Sequence, residues 1–205
     1  RVDLGPGTQY RYSGGGYSVL QQLLGDVLRK PFGRILQETV LAPLAMEHST
    51  FDQPLPERLA RTAAAGHAGD GNKIHGNWHV YPELAAAGLW TTPSDLARFA
   101  LEIQRARRGA GRVLSREMVE QMLTPQLNGF GLGLAIAGKG ANKRFSHSGS
   151  NAGYKSMLVA GRDDLGVMVM TNGERGHALI EEIARAVAKE YGLPGFEVKR
   201  QAKKQ

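Results

Sequence analysis

Apolar positions change their spacing near Pro125 and return to helical spacing only in the last stretch. Before it they recur every three or four residues, as one face of a helix does; after it they recur every second residue, as in a half-buried strand. The first helical set is Val19, Leu20, Leu23, Leu24, Val27 and Leu28, which predicts a helix with one buried face. Pro6, Gly7 and Gly14-Gly15-Gly16 keep 1–16 in loop, and Pro31 ends that helix. Phe32, Ile35, Leu36, Thr39 and Val40 predict a second helix, closed by Leu41-Ala42-Pro43-Leu44. At Thr92-Pro93-Ser94-Asp95, Thr92 is a cap, Pro93 suits the first helical position, and Asp95 completes the capping box. Leu96, Phe99, Ala100 and Ile103 give that third helix its core face, and a shorter helix spans about 115–123. The glycine-scattered stretch 61–90 reads as a long excursion around a cleft.

Beyond Pro125, the alternation of Phe130, Leu132, Leu134 and Ile136 with Gly or Ala predicts a strand. Further strands are expected at 144–148, 154–160 and 165–170, with Asp163-Asp164 as a tight hairpin between the last two. Leu179, Ile180, Ile183, Val187 and Tyr191 predict a final amphipathic helix that stops at Gly192 and Pro194. Helices first and an antiparallel meander last imply an α+β architecture. We expect a mainly helical region over 1–125, antiparallel strands plus a C-terminal helix over 126–195, and a disordered basic tail over 196–205.

Composition then removes several kinds of chemistry. Cysteine is absent, which excludes disulfides, a thiolate nucleophile and a cysteine-based zinc site. A formal charge of +7 raises nucleic acid as a partner. The basic residues cluster at Arg105 to Arg112 and Lys199 to Lys204 without interleaved aromatics, so a solvated helix end and tail are expected instead. No apolar run is long enough to span a bilayer. The start Arg1-Val2-Asp3-Leu4 has neither Met nor an apolar signal core, and we expect Arg1 to follow a truncation, a cleavage or the start of a second subunit.

Two polar, glycine-rich stretches carry the candidate chemistry. Phe145-Ser146-His147-Ser148-Gly149-Ser150-Asn151-Ala152-Gly153-Tyr154 leads into two apolar runs, so His147 and Ser148 sit on a rigid strand edge. Gly149 removes a side chain where something must approach, and the N–H of Ser150 is placed to help hold an oxyanion. A lone His at a strand end is also a common structural residue. Arg11-Tyr12-Ser13-Gly14-Gly15-Gly16-Tyr17 is the other stretch. Tyr12 is either an anchor in a glycine-bounded turn or a phenol, acidified by nearby cations, that serves as a general base. His75 and His79 stand at i and i+4, but Gly76, Asn77 and Pro82 argue against a shared helix face, and no metal is expected. Gly129-Phe130-Gly131-Leu132-Gly133 places Ile136 where a dinucleotide loop needs its last Gly or Ala. Met157, Met168 and Met170 read as core filling.

Together these features resemble the serine β-lactamase and penicillin-binding-protein superfamily, in its class C-like esterase and peptidase branch. Tyr12-Ser13-Gly14 stands at that superfamily's Y-x-N element and His147-Ser148-Gly149 at its K-T-G or H-x-G element. Leu41-Ala42-Pro43-Leu44-Ala45-Met46 and Ala87-Gly88-Leu89-Trp90-Thr91-Thr92-Pro93-Ser94-Asp95-Leu96 are similar to two further stretches of the family. The resemblance covers about residues 4–192 and implies a β-lactamase/transpeptidase-like fold with the C-terminal helix packed on the sheet. It implies Tyr12, His147 and Ser150 as catalytic residues and Gly14, Ser148 and Gly149 as substrate-binding ones, with no cofactor and a periplasmic or secreted setting. The substrates implied are esters, amides or D-amino-acid peptides, with β-lactams less favoured.

Two departures stand out. None of the nine serines is followed by Lys three positions on, so S-x-x-K is absent from these residues. Gly14 stands where the family carries Asn. We therefore expect the nucleophile on an upstream segment or a second chain that also completes the sheet. The alternative is a non-catalytic cell-wall or ligand-binding relative that keeps the cleft.

Overall fold

The computed structural model of the protein describes residues 4–161 and 165–193. Helix α1, Gly14–Leu28, begins three residues earlier than its apolar pattern predicts. Ser13 takes the extended cap conformation and its Oγ accepts the Gly16 N–H at 2.9 Å, so the glycines form the first turn rather than a loop. Arg29 closes α1 in the left-handed region, and Pro31 leads into α2, Phe32–Leu36, which continues as a π-helical turn, Gln37–Leu41. Ile35 and Leu41 of this unit are buried, and Leu41 packs with Leu44 and Met46 beneath Phe51 and Phe99. A short turn α3, Glu57–Ala60, leads into the excursion, and α4, Leu84–Ala87, lies near its end.

Helix α5, Pro93–Arg107, starts as predicted: the Thr92 Oγ1 accepts the Asp95 N–H at 3.2 Å. The Asp95 carboxylate, however, does not return to Thr92. It turns away to the segment after Met46, accepting from the His48 N–H and the Ser49 hydroxyl. Helix α6, Arg116–Met122, is capped by Ser115. Between these two helices the buried Glu102 accepts the N–H groups of Arg112, Val113 and Leu114 on one oxygen, which shapes the connecting loop.

The sheet has the order β1-β2-β3-β4, antiparallel throughout: β1, Ala135–Ala137; β2, Arg144–Asn151; β3, Tyr154–Ala160; β4, Gly166–Thr171. The first strand is far shorter than the alternation implies. Gly129 and Gly133 adopt positive φ and break the strand before Ala135, leaving Phe130 only in isolated bridges and Leu132 exposed. The expected Asp163-Asp164 hairpin and the basic tail lie outside the described residues. Helix α7, Gly176–Glu190, buries Ile180, Ala184 and Ala188, whereas Leu179 and Tyr191 face solvent.

Register sorts the core into two layers. Phe145, Leu158 and Ala160 point to α5 and α6, packing with Ala100, Ile103, Ala106, Val119 and Leu123. Val159, Val167 and Val169 point the other way, onto Ile180 and Ala184 of α7. The central strand β3 is thus covered on both faces, and β4 has no second ladder partner among the described residues.

The apolar face of α1 departs from expectation. None of its residues is buried; Val19 is 69% and Val27 67% exposed. Its opposite side is stitched to α4, where Gln21 accepts the Ala85 N–H and donates to the Pro82 carbonyl. The periodicity marks a face made for packing, and among the described residues it stays exposed.

Candidate active site

Tyr12 and His147 meet although 135 positions apart in the chain, with ring centroids 6.4 Å apart. The segment before α1 is held in place by Tyr10, whose ring stacks on Phe130 at 4.4 Å. Asn128 and Gly129, both at positive φ, make the tight turn that presents Phe130. His147 comes from β2. A cleft of about 380 Å³ lies here, lined by Tyr12, Phe130, Ser146, His147, Ser148 and Met157 among others.

The ladder explains why this strand offers an edge. β1 pairs with β2 only at Arg144, Phe145 and Ser146, so 147–151 has no partner on that side among the described residues. An extended acyl group can lie along it and use its backbone. The pleat also divides the candidates. His147 and Gly149 share a face with their partners Leu158 and Ser156, while Ser148 and Ser150 share the other face with Met157 and Lys155. Tyr12, His147, Ser148 and Ser150 are all exposed.

Gly149 needs to be glycine for a reason that its sequence neighbours do not reveal. A Cβ there would collide with the Ser156 Oγ, so the group that approaches is first of all a hydroxyl from β3. Among the described residues that hydroxyl makes no hydrogen bond. Gly153 closes the β2–β3 turn at φ +76, and a Cβ on it would lie 2.9 Å from the His67 nitrogen and 3.0 Å from the Gly66 Cα. Ser156 and this turn are legible only once the two-residue hairpin is placed and the register counted back from it. Gly14 is different: a Cβ would meet only the Ala86 Cβ at 3.7 Å, ordinary contact, so packing does not demand glycine there.

The His147 imidazole reaches solvent but has enough protein around it that desolvation lowers its pKa, against a smaller raising effect from the Ser148 backbone. It is therefore neutral at physiological pH and can donate from one nitrogen and accept at the other. The folded value lies below the unfolded one, so the associated stability is complete above the unfolded pKa and is lost as pH falls through the folded one. An NMR titration is expected to place its midpoint below about 6.5; a midpoint at or above that value would contradict the desolvated ring.

The remaining candidates resolve simply. Residues 75–79 run as turns and bends, so His75 and His79 share no helix face. Among the described residues no group of three or more His, Asp or Glu is placed to hold a metal ion. No helix there is long and apolar enough to cross a membrane.

Comparison with known proteins extends this picture. The chain is similar to the D-aminopeptidase of Brucella ovis, 24% identical over 179 residues, covering 82% of this chain and 33% of that enzyme. Its fold is similar to the octameric penicillin-binding protein homologue from Pyrococcus abyssi, with a TM-score of 0.74 at 24% identity over 92% of this chain and 44% of that one. It is also similar to the D-amino acid amidase from Ochrobactrum anthropi, with a TM-score of 0.69 at 20% identity, covering 93% and 61%. The chain thus spans about a third of the curated relative and about half of the solved ones. A match to the Beta-lactamase family runs from residue 2 to residue 191, through both the Tyr12 turn and the His147 strand, and the chain belongs to that family.

Proposed function

We propose that the protein forms two walls of a serine hydrolase that works through an acyl-enzyme on amides or short peptides of D-amino acids. The observation that carries this is the Tyr12 ring set against His147 at the open edge of β2. The D-aminopeptidase and D-amino acid amidase among its relatives support the substrate class. The nucleophilic Ser and its Lys come from outside these 205 residues, which contain no S-x-x-K. We place that segment, or a second chain, on the uncovered face of α1.

In this scheme the Ser oxygen attacks the substrate carbonyl while its proton passes to Lys and Tyr12. Ser150 N–H receives the oxyanion, and the departing amine takes the proton back as the carbon–nitrogen bond breaks. Water then hydrolyses the ester. Neutral His147 donates a hydrogen bond to the substrate rather than supplying a charge, which favours small amides over the carboxylate of a β-lactam. Ser148 on the open strand edge and Gly14 at the start of α1 bind the substrate, while Gly149 lets the Ser156 hydroxyl approach β2.

A fluorophosphonate or penicillin probe tests the reading. The full-length protein is expected to become covalently labelled, on a serine outside 1–205, whereas residues 1–205 alone remain unlabelled. Absence of labelling in the full-length protein sinks it. Gly14 supports a second reading, a cell-wall or ligand-binding module without catalysis, since it stands where the family carries Asn although packing does not demand glycine there. That module binds D-amino-acid peptides without ever being labelled.

A further inference from the structure

We infer that Glu174 is a positioning residue for the oxyanion end of β2, holding the turn that follows Ser150. This rests on the proposed role of the Ser150 N–H. Among the described residues the end of β2 from His147 on is paired only on its β3 side, so its placement depends on β3 and on the turn at Ala152 and Gly153. An oxyanion donor has to be held within a few tenths of an ångström of its working position.

Glu174 grips that turn twice. Its Oε2 accepts the Gly153 N–H at 2.8 Å, and its Oε1 accepts Lys155 Nζ at 2.6 Å. Lys155 stands directly opposite Ser150 in the ladder, is 4% exposed, and also donates to the Asn151 carbonyl at 3.3 Å. One carboxylate therefore joins the turn to β3 through charge-assisted bonds, the strongest kind available there, and reaches the Asn151 end through Lys155. Lys155 and the Gly153 N–H lower its pKa, so the grip is ionised at neutral pH.

The carboxylate is itself anchored. Glu174 N–H donates to the His67 carbonyl at 2.9 Å, and His67 N–H donates to the Asn172 carbonyl at 3.0 Å. The excursion thereby backs the turn from one side. It also holds the turn directly, through Asn151 Nδ2 on the Ala87 carbonyl at 2.9 Å and Ala152 N–H on the Tyr81 hydroxyl at 3.2 Å. Of these ties, Glu174 alone joins the turn, at Gly153, to β3, at Lys155, and Lys155 carries the link on to the Asn151 carbonyl of β2.

The test compares Glu174→Ala and Glu174→Gln with the parent full-length protein, by amide hydrogen exchange and by the concentration dependence of fluorophosphonate labelling. Glu174→Ala is expected to speed exchange at 150–153 by about tenfold or more while 144–147 stays protected. Its maximal labelling rate is expected to fall by about 10- to 100-fold, with the half-saturating probe concentration within about twofold. Glu174→Gln keeps an acceptor for the Gly153 N–H and is expected to recover most of both. Should Glu174→Ala not fold, Lys155→Met/Glu174→Ala removes the stranded buried cation and carries the same expectations. Unchanged exchange at 150–153, an equal rise throughout β2 and β3, or a parental labelling rate in a labelled protein each overturns the inference. A parent that is never labelled defeats the acyl-enzyme reading instead, and the exchange pattern still decides whether Glu174 holds the turn.

Discussion

Tyr12→Phe in the full-length protein is expected to slow fluorophosphonate labelling by about 10²- to 10⁴-fold, the range for losing a positioned general base. The phenol is the only polar group Tyr12 contributes, and the side chain is 67% exposed, so its removal strands no buried donor or acceptor. The ring itself persists and keeps its place beside His147 and the cleft. Folding should therefore be unaffected, which separates a chemical loss from a structural one. Thermal denaturation run alongside the labelling time course checks this. A variant that labels within about threefold of the parent would leave proton transfer to the lysine alone. Tyr12 would then be the anchor of a glycine-bounded turn, the plainer of the two readings open from sequence.

That ambiguity shows where sequence reasoning reached and where it stopped. Local signals carried well: the Thr92 cap, Pro93 at the helix start and the apolar runs of β3 and β4 each depend on a few neighbouring residues. The alternation at 130–136 misled because its spacer residues are glycines, and their freedom at positive φ removes the strand that alternation normally reports. The periodicity of α1 identified an apolar face correctly but could not say what covers it. In α7 Ile180, Ile183 and Val187 pack on the core as expected, but Leu179 and Tyr191 face solvent and the small Ala184 and Ala188 take buried places that apolar size alone does not flag.

The site divides in the same manner. Tyr12 and His147 were found through short motifs, and their pairing follows from a resemblance that spans most of the chain. Ser156, Lys155 and Glu174 were not, because each acquires its role from register or from a partner in another segment. Glu174 meets Gly153 across 21 positions, and Ser156 meets Gly149 only through the hairpin. Tyr81 and Asn151 join the excursion to that hairpin by contacts no periodicity encodes.

Asp95→Ala is expected to cost about 3–5 kcal/mol of folding stability in the full-length protein, the range for breaking a buried charged network. Asp95 has no exposed surface and ties two separate segments together. Its Oδ2 accepts the His48 N–H and the Ser49 hydroxyl, both at 2.8 Å, while Oδ1 accepts from Arg98. Truncation strands the His48 N–H, at about 1–3 kcal/mol for a buried donor, and leaves the Ser49 hydroxyl only its contact with the Thr91 hydroxyl at 2.7 Å. Arg98 adds less, because its side chain is half exposed and water can replace the carboxylate. The cap itself survives, since Thr92 bonds to the backbone at position 95 and not to its side chain. The loss therefore falls on the join between α5 and the segment after Met46. Against a total of about 5–15 kcal/mol for a domain, that is enough to unfold a marginal chain. Urea denaturation checks it: Asp95→Asn, which retains one acceptor oxygen, should lie between the parent and Asp95→Ala. A midpoint shift worth less than about 1 kcal/mol for the alanine variant would show that water takes over both donors and that this join is not where stability resides.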